Sequence, residues 1–292
     1  MPDQDKTQNI QARQSQTPSA QQKTLPKIGI LYFLLSDDRS IEEDLVAVVR
    51  KEISISTSKT LYLVIHSIGG DPYPAVRIMR MLRKRFSGKL FGVVPHRAMS
   101  AATLMLFGTD LIYMSEESQL GPLDLPMEHP IDGSSISALD VVDTLNQLQA
   151  TSLEFAKTIY KDLRKGEFGE RIGKDKAIEF ALLHSRQLVL PTLEKVDPYH
   201  RQRALRKLRI GKWYAFDLLI KGMIPNGMRA MSAADKFVTT FPDHSYGIFK
   251  EDAVLCGIGI EDSDKLPIWN ALCAVADPKI EAQENYIKYE EM

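Results

Sequence analysis

The chain has 292 residues, 44% of them hydrophobic, enough to bury one large core or one core with a smaller appended unit. Lys and Arg total 37 against 38 Asp and Glu, a formal charge of −1, so no overall field recruits nucleic acid or an anionic membrane. The two cysteines, Cys256 and Cys273, form neither a metal-ligand spacing nor a disulfide framework, and they fit a reducing compartment.

Residues 1–25 are rich in Gln, Ser, Thr and Lys and hold almost nothing apolar, which predicts a disordered arm without the apolar centre of a secretory signal. IGILYFLL (28–35) reads as a strand buried on both faces. SIEEDLVAVVRKEI (40–53) follows as a helix opened by a Ser40 cap and early acids, with Leu45, Val46, Val49 and Ile53 on one face. TLYLVIHS (60–67) is a second strand. YPAVRIMRMLRKRF (73–86) is a second helix, with Val76, Ile78, Met79 and Leu82 inward and its basic residues outward. KLFGVVP (89–95), AATLMLFG (101–108) and DLIYMS (110–115) continue as strand, helix and strand. Alternation with short turns predicts right-handed parallel crossovers in one α/β layer.

After LGPLDLP (120–126) the character changes. Residues 136–164, 174–189, 191–208 and 212–222 have helical spacing and many charges, with a polar, glycine-containing break at 164–174. HSYGIFKEDAVLCGIGI (244–260) returns to a strand, a short helix and a last strand segment. No apolar run approaches a membrane span, so membrane association is not indicated and a soluble, cytoplasmic protein is expected.

The chemistry concentrates at the carboxyl ends of the second and third strands, the edge at which parallel sheets bind ligands. The second strand ends in HSIGGDP (66–72), where Gly69 and Gly70 can bare backbone N–H groups before a helix. The third is followed by HRAMSAATLMLFG (96–108), where Ser100 opens an apolar helix. Ser100 can be an ordinary helix cap. It can also be a nucleophile, because the Ala101 amide that follows it and the Gly-Gly amides would hold a developing oxyanion.

These segments carry a resemblance. LVIHSIGGDPYPAVRIMRMLR and VVPHRAMSAATLMLFGTDLIYMSEESQLGPLDLP resemble the Gly-Gly turn and nucleophile segments of the Clp-protease/crotonase superfamily. Within it the chain is most similar to the serine dehydrogenase proteinase family, relatives of signal peptide peptidase A, whose C-terminal element is matched here by DHSYGIF (243–249). The likeness runs over residues 60–126 and, less closely, 240–260. It implies an α/β fold with a Clp/crotonase-like parallel sheet, flanking helices and a helical C-terminal half. It also implies a serine peptidase acting on a peptide or protein substrate, with Ser100 as nucleophile, Gly70 and Ala101 as oxyanion donors, and self-association into rings or shells. The implied organisation is an arm (1–25), a peptidase domain (26–262) with a helical insertion at about 136–222, and a tail (263–292).

The base departs from the pattern. Clp proteases place a histidine in the turn after the fourth strand, and QLGPLDLP has none. Lys157 and Lys161, one helical turn apart, are candidates if burial lowers their pKa, as in the lysine-dependent relatives. His244 lies in the segment resembling the one that bears the Clp aspartate, and an imidazole needs no large shift to act near neutrality. His244 is favoured narrowly over Lys161 and Lys157. His66, just inside a strand, reads as core, and His96 ranks lower still. Asp124 reads as a turn residue. His129, His184 and His200 show no metal spacing, and no cofactor is expected. The basic run HRQRALRKLRIGK (200–212) has helical spacing with Leu205 and Leu208 inward, so it reads as a solvated face rather than a nucleic-acid site. Two other functions stay open: a scaffold that has lost its base, and a crotonase-type acyl-CoA enzyme using the same amides for an enolate.

Overall fold

A computed structural model describes residues 27–129, 133–166, 169, 171–194 and 197–292. The arm expected at 1–25 lies outside the described residues. The first half alternates as expected: β1 (Ile28–Leu34), α1 (Asp44–Ile53), β2 (Thr60–His66), α2 (Pro72–Arg85), β3 (Leu90–Val94), β4 (Arg97–Ala98), α3 (Ala101–Leu106) and β5 (Leu111–Met114). Short strands β6 (Gln119–Leu120), β7 (Pro126–Glu128) and β8 (Ser135–Ser137) lead into helices α4 (Ala138–Lys165), α5 (Lys174–Leu193), α6 (Pro198–Lys221) and α7 (Gly227–Thr239). The chain closes with α8 (Lys250–Leu255), β9 (Ile260–Asp262), α9 (Trp269–Glu281) and β10 (Tyr286–Glu291).

The fold is mixed α/β with a parallel-dominated sheet, flanking helices and a helical C-terminal half. Six strands lie in the order β10-β1-β2-β3-β5-β9, all pairings parallel except β10 with β1. The unbroken apolar strands are explained by cover on both sides. Leu31, Phe33, Leu61, Leu63 and Ile65 face the core under α1, α2, α3, α6 and α7. Ile30, Tyr32, Leu34, Val64 and Val93 instead pack with Leu272, Ala276 and Ile280 of α9. Residues 263–292, expected as a tail, thus supply the cover of the second face and an edge strand of the sheet.

Two local expectations are corrected. Ser40 does not open α1, which starts at Asp44 with no side-chain cap. Ile41 is drawn out of the helix because its N–H donates to Gly69 O (2.8 Å) and its carbonyl accepts from Asp71 N (2.9 Å). The helices expected at 191–208 and 212–222 are one helix, α6, which runs through Gly211. A Cβ there would stand 2.9 Å from Leu123 O, so this glycine serves close approach to the loop after β6 rather than a break. Finally, α7 brings the chain back to that loop, with Leu123 N donating to Phe237 O at 2.8 Å.

Candidate active site at the carboxyl edge of the sheet

The Gly-Gly turn is built by hydrogen bonds that leave one amide over. Ser67 Oγ accepts from Gly69 N at 3.0 Å, and Asp71 Oδ1 caps α2 by accepting from Tyr73 N at 2.9 Å. Gly69 and Gly70 have φ of 105° and 142°, values that a side chain resists. The Gly70 N–H has no partner among the described residues. Gly69 is corrected as an oxyanion donor, because its N–H is already spent on Ser67.

Ser100 is held against this turn. Met99 N donates to Ser67 O and Ala102 N to Met99 O, both at 2.9 Å. Thr103 Oγ1 donates to Ala98 O (2.6 Å) and accepts from Gly121 N (2.9 Å), binding both flanks of the serine. A Cβ on Gly69 would lie 2.8 Å from Ser100 Cβ and 3.2 Å from Ala101 N, so the turn and the serine meet with no room for a side chain. Between these restraints Ser100 adopts φ 49°, ψ −115° and is 7% exposed. The cap reading is overturned, since its hydroxyl makes no cap hydrogen bond. The Ala101 N–H, like that of Gly70, has no partner among the described residues.

The loop after β6 is joined to this edge by the β4–β6 pairing and by an antiparallel bridge between Leu120 and Ile248. That bridge places His244, four residues before Ile248, beside Asp124. His244 Nδ1 lies 3.0 Å from Asp124 Oδ1. An ionised carboxylate only accepts, so Nδ1 carries the proton and Nε2 of the neutral ring is left as an acceptor. Asp124 is 3% exposed, and its Oδ2 accepts from Ser137 Oγ at 2.5 Å. The carboxylate's hydrogen bond raises the His244 pKa above its ordinary value, against burial, which opposes the charge. Asp124 is therefore not simply a turn residue: both of its oxygens bind side chains distant in sequence. The signal available was an acid flanked by Leu123 and Leu125, a pattern consistent with a buried acid that has a partner. His244 makes no hydrogen bond to Ser100.

The remaining candidates fall elsewhere. Lys157 and Lys161 are exposed on α4, where nothing supplies the burial a lysine base would need. His66 is 3% exposed with both ring nitrogens unpartnered, and its pKa is lowered to about 4, first by burial and then by Arg97 and His96. His96 meets Asp277 through Nε2 at 3.2 Å. In the basic run, Lys207 binds Pro126 O and Lys212 binds Asp235, both within the chain. Among the described residues no three His, Cys, Asp or Glu side chains gather as a metal site. No helix among the described residues is long and apolar enough to cross a membrane.

Comparison with known proteins gives distant likenesses. No family model matches the chain. A stretch of 82 residues is 35% identical to the uncharacterized protein MJ0137 of Methanocaldococcus jannaschii, and it spans 28% of this chain and 28% of that protein. Among solved structures the chain is similar to the 1510-N membrane-bound stomatin-specific protease in a serine-to-alanine variant, with TM-score 0.32 and 16% identity over 52% of this chain and 68% of that one. A lysine-to-alanine variant of the same protease, in complex with a substrate peptide, gives TM-score 0.31 and 17% identity over 52% of this chain and 72% of that one.

Proposed function

We propose that the chain is a serine peptidase that cleaves a peptide or protein substrate through an acyl-enzyme on Ser100. The observation that carries this reading is a buried serine at φ 49° with an unused hydroxyl, packed against the Gly-Gly turn where the amides of Gly70 and Ala101 are unused. Strain of this kind persists only where the surroundings impose it, and it clusters at reactive groups. In the reaction, Ser100 Oγ attacks the substrate carbonyl and its proton passes to His244 Nε2. The two amides receive the negative oxygen. The proton then goes to the leaving amine as the peptide bond breaks, and water, deprotonated by the same imidazole, releases the acyl group. Asp124 holds the His244 tautomer and stabilises the imidazolium. The nucleophile–base hydrogen bond forms when substrate binds, as such bonds commonly tighten in the complex.

Self-association belongs to the same reading. α5 buries only Ala177, Ala181, Ser185 and Val189, while Phe180, Leu182, Leu183 and Leu188 are about half exposed, at 53, 58, 50 and 52%. Apolar side chains left half exposed on a helix call for further cover, and a second copy would supply it. Light scattering of the full chain tests this, and a monomer at micromolar concentration excludes it.

The absence of a Ser100–His244 hydrogen bond favours, as the second reading, a scaffold with no working base. A fluorophosphonate probe with peptide mapping separates the two. Labelling of Ser100, lost in Ser100→Ala, supports the peptidase. A folded, unlabelled wild type supports the scaffold or an acyl-CoA enzyme that needs no nucleophile.

A further inference from the structure

Resting on the peptidase reading, we infer that Ser137 is a positioning residue whose hydroxyl fixes the Asp124 carboxylate and ties it to the first turn of α4. Ser137 Oγ accepts from Leu139 N at 3.0 Å, which is all that a helix cap requires. The hydroxyl's single proton is directed elsewhere, to Asp124 Oδ2 at 2.5 Å. A second bond locks the same junction, from Ala138 N to Leu125 O at 3.2 Å. Each oxygen of the carboxylate thus has one side-chain partner, His244 on Oδ1 and Ser137 on Oδ2, at a residue only 3% exposed.

The consequence follows from the cost of leaving a buried carboxylate oxygen unpaired. Without the Ser137 hydroxyl one oxygen of a buried carboxylate is left unpaired, and the group is free to turn about its last torsion. A turned carboxylate no longer holds the imidazolium. The acids facing His244 are Asp124 and the exposed Asp243, and Asp243 makes no hydrogen bond to the ring. Loss of Ser137 therefore acts on His244 through Asp124.

The test follows the His244 imidazole by NMR titration of the full chain, with the resonance assigned from His244→Gln. Ser137→Gly is the main variant, because glycine caps a helix nearly as well as serine but has no hydroxyl. In it the midpoint should fall toward the ordinary value of about 6.5, kcat should fall about tenfold with KM unchanged, and the acid limb should move to lower pH. Ser137→Thr, which keeps the hydroxyl, should restore all three. A midpoint that is unchanged or higher in folded Ser137→Gly overturns the inference. If that variant does not fold, Ser137→Ala is read in the same way. The midpoint also decides the matter if no variant cleaves peptides. A fall restored by threonine would then uphold the positioning role, while the missing activity would end the peptidase reading.

Discussion

Gly70→Ala tests whether the Gly-Gly turn holds an oxyanion donor, and its size can be worked from the turn itself. The new Cβ would sit 2.4 Å from Ile41 N and 2.6 Å from Ile41 O, at a residue with φ of 142°. Both neighbours are backbone atoms and cannot swing aside. Restoring ordinary contact at about 3.5 Å requires a relative shift of about 1 Å. The bonds from Ile41 N to Gly69 O and from Asp71 N to Ile41 O stand in the way of that shift. Weakening both costs about 1 kcal/mol each, and positive φ at a non-glycine residue adds about 1–2 kcal/mol. A stability loss of about 3–4 kcal/mol is expected by urea unfolding. In the fraction that stays folded the Gly70 amide is displaced, and loss of one donor lowers turnover by about 100- to 1000-fold. Peptidase turnover per folded molecule is the first assay, and the rate of fluorophosphonate labelling at Ser100 is an independent one. Folded Gly70→Ala that turns over and labels at the wild-type rate would refute the assignment of this amide.

Ser100→Gly should abolish turnover yet raise stability by about 1 kcal/mol in urea, because glycine accepts φ 49° and no cap bond is lost. Destabilisation would mean that the backbone there is unstrained. Asp124→Asn should lower kcat by roughly 10³–10⁴-fold, since an amide cannot enforce the Nδ1–H tautomer. His244 acts as base only when neutral and its pKa is raised above 6.5, so wild-type kcat/KM should climb along an acid limb centred above that pH. A limb below 6.5 in the wild type would contradict the role of Asp124. His66 titrates in the opposite sense, its pKa lowered from 6.5 to about 4, so its stabilisation is complete above 6.5 and is lost as pH falls toward 4. The gap is worth about 3 kcal/mol, measured as the change in urea stability between pH 7.5 and 4.5, and His66→Leu should flatten that part of the curve.

What the sequence made legible were features carried by neighbouring residues. Unbroken apolar runs marked the strands, and Gly69-Gly70 with Ser100 marked the edge where the candidate site lies. Features that depend on distant partners were not legible. The α9 segment reads as a tail because its apolar residues have a face to cover only once Ile30, Tyr32 and Leu34 line up in β1. The gap expected between 208 and 212 closes into one helix, and what Gly211 gains there, close approach to Leu123 O, lies elsewhere in the chain. Ser40 reads as a cap because nothing nearby tells that Ile41 is bound to the Gly-Gly turn.

Asp124 and His244 are separated by 120 residues, and the helices α4 to α7 fill the interval. These helices do more than decorate the sheet, because they join the acid to the histidine. The path leaves Asp124 through Ser137 at the start of α4 and returns through Phe237 near the end of α7, whose carbonyl accepts from Leu123 N. Glycine at 211 lets α6 press on the same loop between those two points. The loop that bears the carboxylate is therefore held by α4, α6 and α7 together. Truncating the helical segment would remove the Ser137 bond to Asp124 Oδ2 and the Phe237 bond to Leu123, leaving the carboxylate with His244 as its side-chain partner on a loop held only from the β6 side.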